Sequence, residues 1–155
     1  YAPATVITRP LLMQTPARAN NWQTNLAAIP PLWLNEVQPI NVNGITNAAG
    51  ERTSWVELYN AGTNTVSLEG LYLSDNYTNL AKWAFPAGAT IGSNQFKVIF
   101  LDGRTNLSTL TELHTSFAVG TNVWSTGTVA LVRIGWRGPE VLDYLTYKNM
   151  RVGWS

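Results

Sequence analysis

Two glutamates stand in the first two strand-like segments of the chain and could supply a pair of carboxylates. These are Glu36 and Glu57, and such a pair is what general acid–base catalysis or glycoside hydrolysis requires. Their surroundings favour a structural role, because Glu57 is flanked by Trp55 and Tyr59 and an unpaired buried charge is costly. We therefore expect Glu57 to be exposed or to accept hydrogen bonds from the backbone or from Trp or Tyr groups. We predict no catalytic residue.

Loop oxygens offer a second kind of chemistry. Asp75, Asn76, Asn79 and Asp102 carry carboxylate and amide oxygens of the kind that bind Ca²⁺. The regular acidic spacing of an EF-hand is missing, and Asp-Asn and Asp-Gly pairs are equally typical of turns. The sequence predicts turn residues here and no metal site.

Histidine and cysteine chemistry is sharply limited. There is no cysteine, and His114 is the single histidine, so thiol catalysis, Cys-based zinc sites and multi-histidine metal sites are excluded. We expect His114 to be a hydrogen-bonded residue of a loop or strand edge. Asp143 lies within a strand-like segment, where aspartate is unfavourable, and we expect a loop backbone group or Arg133 to compensate it. No glycine cluster resembles a phosphate-binding loop, and we predict no cofactor.

The seven tryptophans divide by position. Several aromatic residues lie in strand-like segments and are predicted to be core: Trp55, Phe85, Phe96, Phe100 and Phe117. Others lie near loops or ends: Trp33, Tyr77, Trp124, Trp136 and Trp154. Three of these are candidate ligand contacts, Trp124, Trp136 and Tyr77, because exposed rings stack on sugars or anchor protein interfaces. The favoured interpretation is that the rings seal the ends of the fold or pack on the arm, since Trp is buried on average. A flat row of exposed Trp or Tyr would indicate a sugar ligand, and a flat apolar patch would indicate a protein.

Composition removes several functional classes. The chain has 155 residues, enough for one domain, and its ten Lys and Arg against nine Asp and Glu give a net charge of +1. That balance provides no strong field for nucleic acid or an anionic membrane. No apolar run reaches the length needed to span a bilayer.

The elements that must position these residues are short strands. Apolar or alternating runs recur at intervals of about ten residues and are separated by turn residues, which predicts an all-β sandwich. Several runs are apolar on both faces, so a second covering layer is needed. The predicted runs are Leu32–Gln38, Ser54–Asn60, Thr65–Ser74, Ala81–Phe85, Gln95–Leu101, Leu113–Val119, Thr128–Ile134 and Glu140–Tyr147.

Residues 1–31 differ from the rest of the chain. They hold five of the eight prolines, at positions 3, 10, 16, 30 and 31, which disfavours a long helix or a central strand. We interpret this segment as an extended N-terminal arm or linker that covers an apolar face in cis or pairs with a second copy in a dimer. We expect residues 32–148 to form the sandwich and residues 149–155 to form a C-terminal tail.

The order of the motifs resembles the lamin-tail domain, an immunoglobulin-like β-sandwich, over about residues 32–148. The most specific segments are Trp55-Val-Glu-Leu-Tyr-Asn60 and Phe85-Pro-Ala-Gly88, followed later by Val141-Leu-Asp-Tyr-Leu-Thr-Tyr147. The residues assigned to the motif are Glu36, Trp55, Glu57, Asn60, Phe85, Pro86, Gly88 and Asp143.

The resemblance implies an antiparallel immunoglobulin-like sandwich without known catalysis, of the type found in bacterial secreted and surface proteins. We expect a non-catalytic interaction or spacer module of a larger secreted or cell-surface protein. The alternative is a carbohydrate-binding module beside a surface enzyme. The expected partners are a protein or polysaccharide at the cell surface, or neighbouring domains of the same chain. Nucleic acid is not among them.

Overall fold

The computed structural model describes residues 28–120 and 125–150. For Met150 it describes the backbone only. Most of the arm, Trp124 and residues 151–155 therefore lie outside the described residues. The described part contains ten strands and one short 3₁₀ helix, Thr105–Leu107. The strands are β1 (Leu32–Gln38), β2 (Trp55–Asn60), β3 (Val66–Ser67), β4 (Leu71–Ser74), β5 (Trp83–Ala84), β6 (Thr90–Ile91), β7 (Phe96–Phe100), β8 (Leu113–His114), β9 (Ser125–Gly135) and β10 (Gly138–Met150).

Two four-stranded sheets and one small strand pair form the framework. The first sheet has the order β1-β2-β7-β8, the second has the order β10-β9-β4-β5, and β3 pairs with β6. The predicted all-β sandwich is confirmed. The pairing is antiparallel throughout except between β7 and β8, which are parallel over two residues. The predicted run Leu113–Val119 therefore forms only the short strand Leu113–His114.

The core lies where the inner faces of the sheets meet. Val56, Leu58 and Ile99 contribute from the first sheet and Leu73 and Leu131 from the second, all of them completely buried. Because successive residues of a strand point to opposite faces, Trp55, Glu57 and Tyr59 must lie on the outer face of β2. Because both faces of several strands carry apolar residues, the sequence alone does not show which face is the outer one.

Three aromatic residues predicted to be core lie on that outer face. Trp55 pairs with Phe100, and Tyr59 pairs with Phe96. Trp55 and Phe100 are buried, but Phe96 is 55% exposed, so the prediction that Phe96 belongs to the core is wrong. The alternation along β7 is apolar on both faces, and for that reason it could not show which side faces the second sheet.

Asp143 joins the edges of the two sheets. Its Oδ2 accepts a hydrogen bond of 2.8 Å from the backbone N–H of Leu34 in β1, and its Oδ1 accepts one from the N–H of Tyr144. Both strands carry a bulge beside this contact, at Leu34/Glu36 and at Val141/Asp143. The predicted partners were a loop backbone group or Arg133. The structure gives a strand backbone instead, and Arg133 binds Glu140 and the carbonyl of Ala28.

Candidate functional site

Three aromatic side chains form a row across the outer face of the first sheet. Trp33 in β1 is opposite Tyr59 in β2, and Tyr59 is opposite Phe96 in β7. Directly opposed residues project from the same face, so the three rings are neighbours. Trp33 is 53% exposed and Phe96 55%, while Tyr59 between them is half-buried. We call Trp33, Tyr59 and Phe96 the aromatic row.

Two rings of the row, those of Tyr59 and Phe96, are stacked on each other. The centroids of Tyr59 and Phe96 lie 4.5 Å apart, with an interplanar angle of 22°. Two rings lying flat and side by side could not approach so closely without overlapping. The rings therefore turn their faces toward each other and their edges toward solvent, which gives an apolar ridge. This geometry favours packing against apolar groups over stacking of a sugar ring on a flat platform.

An acidic pair lies beside the aromatic row. Glu36 is directly opposite Glu57 on the same outer face, and both side chains are partly exposed. The Oε1 of Glu57 accepts a hydrogen bond of 2.8 Å from the Nδ2 of Asn35, so its partner is an amide and not the expected backbone, Trp or Tyr group. We call Glu36 and Glu57 the acidic pair.

The acidic pair matches the residue types of glycosidase carboxylates, which flank a scissile bond. Glu36 and Glu57 project in the same direction from adjacent strands of one sheet, and Glu57 is bonded to the amide of Asn35. The structural role expected for these two residues stays a prediction.

The opposite end of the same face is covered. Gln38, Trp55, Phe100 and His114 form a second row in register across β1, β2, β7 and β8. Trp55 is only 8% exposed, and its Nε1 donates a hydrogen bond of 2.8 Å to the Oε1 of Gln38. The rings of Phe100 and His114 stack with centroids 5.2 Å apart. Burial of the second row leaves the aromatic row as the open part of the face.

Loop residues form an ionic cluster at this covered end. His114 is completely buried, and its Nδ1 and Nε2 lie 2.9 Å from Asp102 Oδ2 and 3.1 Å from Glu112 Oε1. Arg104 bonds Asp102 at 3.0 Å and Glu51 at 2.6 Å. The cluster therefore links the segment around Glu51 to the segment 102–114. His114 lies in β8, a strand at the edge of the first sheet. We expected a hydrogen-bonded residue of a loop or strand edge, and this position agrees with that.

Two carboxyl groups of the cluster have altered acidity. Burial opposes ionisation of Asp102, but hydrogen bonds from His114 and Arg104 outweigh it and lower the pKa of this carboxyl below its ordinary value. Hydrogen bonds from Asn47 and Arg104 lower the pKa of Glu51. Both groups are thereby held in the charged form that the cluster requires.

The histidine is not placed for nucleophilic catalysis. Ser108 Oγ donates to the carbonyl of His114 and accepts from its backbone N–H, so this hydroxyl is bonded to the main chain and not to the ring. Both ring nitrogens face carboxylates, and the ring is inaccessible to solvent. The buried imidazole of His114 therefore connects Asp102 and Glu112 through hydrogen bonds.

The loop residues considered for calcium form contacts within the protein. Asp75 forms an ion pair of 2.6 Å with Lys82, and Asn76 Oδ1 accepts from the N–H of Thr78. Asn79 uses its backbone carbonyl to accept from Ser74 Oγ. Among residues 28–120 and 125–150, no group of three or more His, Cys, Asp or Glu side chains could hold a metal ion.

We expect millimolar Ca²⁺ and chelator to leave the melting temperature unchanged. An ion that binds only the native state must raise its stability by mass action, and Asp75 and Asp102 already form ion pairs with Lys82 and Arg104. Differential scanning fluorimetry with CaCl₂, with EDTA and with equal ionic strength of NaCl provides the measurement. A calcium-specific rise of several degrees would contradict this expectation.

The predicted aromatic candidates are not brought together. Trp136 occupies the turn between β9 and β10, is 79% exposed, and has the guanidinium of Arg137 4.4 Å from its ring centroid. Tyr77 is exposed, and its hydroxyl lies 3.3 Å from Thr128 Oγ1. Thr128 precedes Trp136 by eight residues, which is roughly 26 Å along an extended strand. Tyr77 and Trp136 are therefore far apart. Trp124 lies outside the described residues.

The other motif residues are structural in their contacts. Asn60 is completely buried, and its Nδ2 donates to the carbonyls of Asn64 and Gly92 while its Oδ1 accepts from the N–H of Gly62. Phe85 is buried edge-to-face against Trp83. After it, the N–H of Ala89 bonds the carbonyl of Pro86. Gly88 has φ +79°, a conformation that glycine adopts without strain.

The two packed, mainly antiparallel sheets define an immunoglobulin-like β-sandwich. The family model described as Lamin Tail Domain matches residues 28–148, and the chain belongs to this family. No curated protein matches the sequence. No helix within the described ranges has the length and apolar character of a membrane-spanning segment.

Proposed function

We propose that this domain is a non-catalytic module that binds a partner protein through the aromatic row. The observation that supports the proposal is the exposure of Trp33 and Phe96 on a sheet face whose other end is buried. Aromatic side chains are enriched among the residues that anchor protein interfaces. The stacking of Tyr59 on Phe96 adds a contiguous apolar ridge.

The setting of the module is part of the same proposal. We place it in a larger secreted or cell-surface protein of bacterial type, where the partner is a surface protein or a neighbouring domain. A dimer that forms through the N-terminal arm is compatible with this arrangement. Carbohydrate binding is the alternative, since a sugar could still contact the outer ring faces of Trp33 or Phe96.

The experiment compares two classes of probe on the full chain. A library of random displayed peptides and an array of immobilised glycans are each screened with the parent protein. We expect peptides to be selected, and we expect Phe96→Ala to weaken the selected peptides by about tenfold or more, because the variant removes an exposed anchor. The free energy of unfolding should fall by only about 1 kcal/mol, since the ring is mostly exposed.

Trp136→Ala is the matched control. It removes an aromatic ring that is even more exposed but lies on the turn between β9 and β10, away from the row. Selected peptides should bind this variant as they bind the parent. Selection of glycans only would favour the carbohydrate alternative, and equal loss in both variants would show that the aromatic row is not the site.

A further inference from the structure

The acidic pair places two like charges opposite each other on neighbouring strands. Glu36 and Glu57 are in register across β1 and β2, an arrangement that is destabilising when both side chains are charged. Asn35 gives a hydrogen bond to Glu57, but an amide does not neutralise a carboxylate. The fold thus keeps an unfavourable charge arrangement on its outer face.

No basic side chain of the described part of the chain forms an ion pair with either glutamate. Lys82 binds Asp75, Arg104 binds Glu51 and Asp102, and Arg133 binds Glu140. Lys97 lies 3.4 Å from the carbonyl of Leu110. Lys148 lines a groove of about 640 Å³ that Glu36 also lines, yet it is not within ion-pair distance.

The acidic pair and the aromatic row are parts of one surface. Tyr59 follows Glu57 by two positions in β2, so the two side chains project from the same face roughly 7 Å apart. A lysine or arginine side chain has an apolar stem and a charged head. Its stem could pack on the aromatic row while its head reaches the carboxylates.

We propose that the partner is a protein segment that presents a lysine or arginine side chain next to an apolar side chain. The cation binds between Glu36 and Glu57, and the apolar side chain packs on Trp33, Tyr59 and Phe96. This inference rests on the proposed function and adds the chemistry of the partner to it. The negative charge of the acidic pair complements the positive charge of that lysine or arginine side chain.

The experiment uses the peptides selected from the random displayed library on the full chain. Their sequences should be enriched in Lys or Arg adjacent to an apolar residue, relative to the unselected library. For one selected peptide, calorimetric titration should show weakening of about tenfold in a Glu36→Gln/Glu57→Gln double variant. Binding should also weaken as NaCl is raised, because partly exposed charges are screened.

Glu69→Gln is the control, because Glu69 is an exposed glutamate in the turn between β3 and β4 and lies on neither strand of the site. It should bind the peptide as the parent does. A second readout needs no ligand: Glu36→Gln should raise the melting temperature, since it relieves the repulsion, and a clear fall would overturn the inference.

The outcomes separate this inference from the proposed function. Peptides that depend on Phe96 but lack basic residues, or that bind the double glutamine variant with unchanged affinity, would overturn the role of the acidic pair and leave the proposed function standing. Failure to select any peptide dependent on Phe96 would overturn both.

Discussion

Replacing Trp55 with alanine is expected to lower the free energy of unfolding by about 3–5 kcal/mol. The indole is 8% exposed and its Nε1–H is bonded to the Oε1 of Gln38. The substitution removes the ring's apolar contacts, leaves a cavity at the covered end of the face and deprives Gln38 of its donor. Denaturant unfolding of the parent and the variant, followed by circular dichroism, measures the difference.

Trp33→Ala is the matched control for this prediction. Both tryptophans lie on the outer face of the first sheet, but Trp33 is 53% exposed and belongs to the open aromatic row. Its removal should change stability by about 1 kcal/mol or less. Similar losses in both variants would mean that the two ends of the face are equally covered, contrary to the structure. A midpoint for Trp55→Ala close to that of the parent would show that Trp55 is itself a surface residue.

Asp102→Ala is the second substitution with a large expected effect, about 3 kcal/mol. The Asp102 side chain is 5% exposed and contacts both the buried His114 and Arg104. Its removal leaves these donors without their shared acceptor. Asp75→Ala, which breaks the more exposed pair with Lys82, should cost about 1 kcal/mol or less and serves as the control.

The pH dependence of the Asp102 contribution has a defined sign. The folded-state pKa of Asp102 is lowered from its ordinary value of 3.8, so the unfolded state binds more protons and stability rises with pH in this range. The contribution is fully present above pH 3.8 and is lost as the pH falls through the lower folded-state pKa. The stability difference between the parent and Asp102→Ala should therefore narrow below pH 4. A difference that stays constant down to pH 2 would show that the charge of Asp102 is not what the cluster uses.

The positions of most strands could be predicted, because apolar runs and turn residues are local signals. Leu32–Gln38 is a strand with the predicted bounds. The predicted run Thr65–Ser74 is two strands, since Gly70 adopts φ +80° and Leu68 turns into the core between them. Which face of a strand points inward could not be predicted where both faces are apolar, and Phe96 shows this.

The candidate site depends on register, which the sequence does not state. Trp33, Tyr59 and Phe96 come from three strands, and they become neighbours only after the bulge at Leu34/Glu36 and the length of each connection are known. A search for exposed aromatics in loops therefore selected Trp136 and Tyr77. In the same way, the contacts of His114 with Asp102 and Glu112 depend on a loop that folds back on itself, and no spacing rule predicts that path.

The hydrogen bond between Leu34 and Asp143 has a consequence for the order in which the protein assembles. The two residues are 109 positions apart, so their contact requires closure of almost the whole domain and its entropy cost is high. The hairpin of β9 and β10 turns over two residues, Trp136 and Arg137, and such hairpins close within microseconds. We therefore expect the hairpin to be present while β1 is still separate from β10. The native state should then be reached at the slow rate typical of proteins with distant contacts.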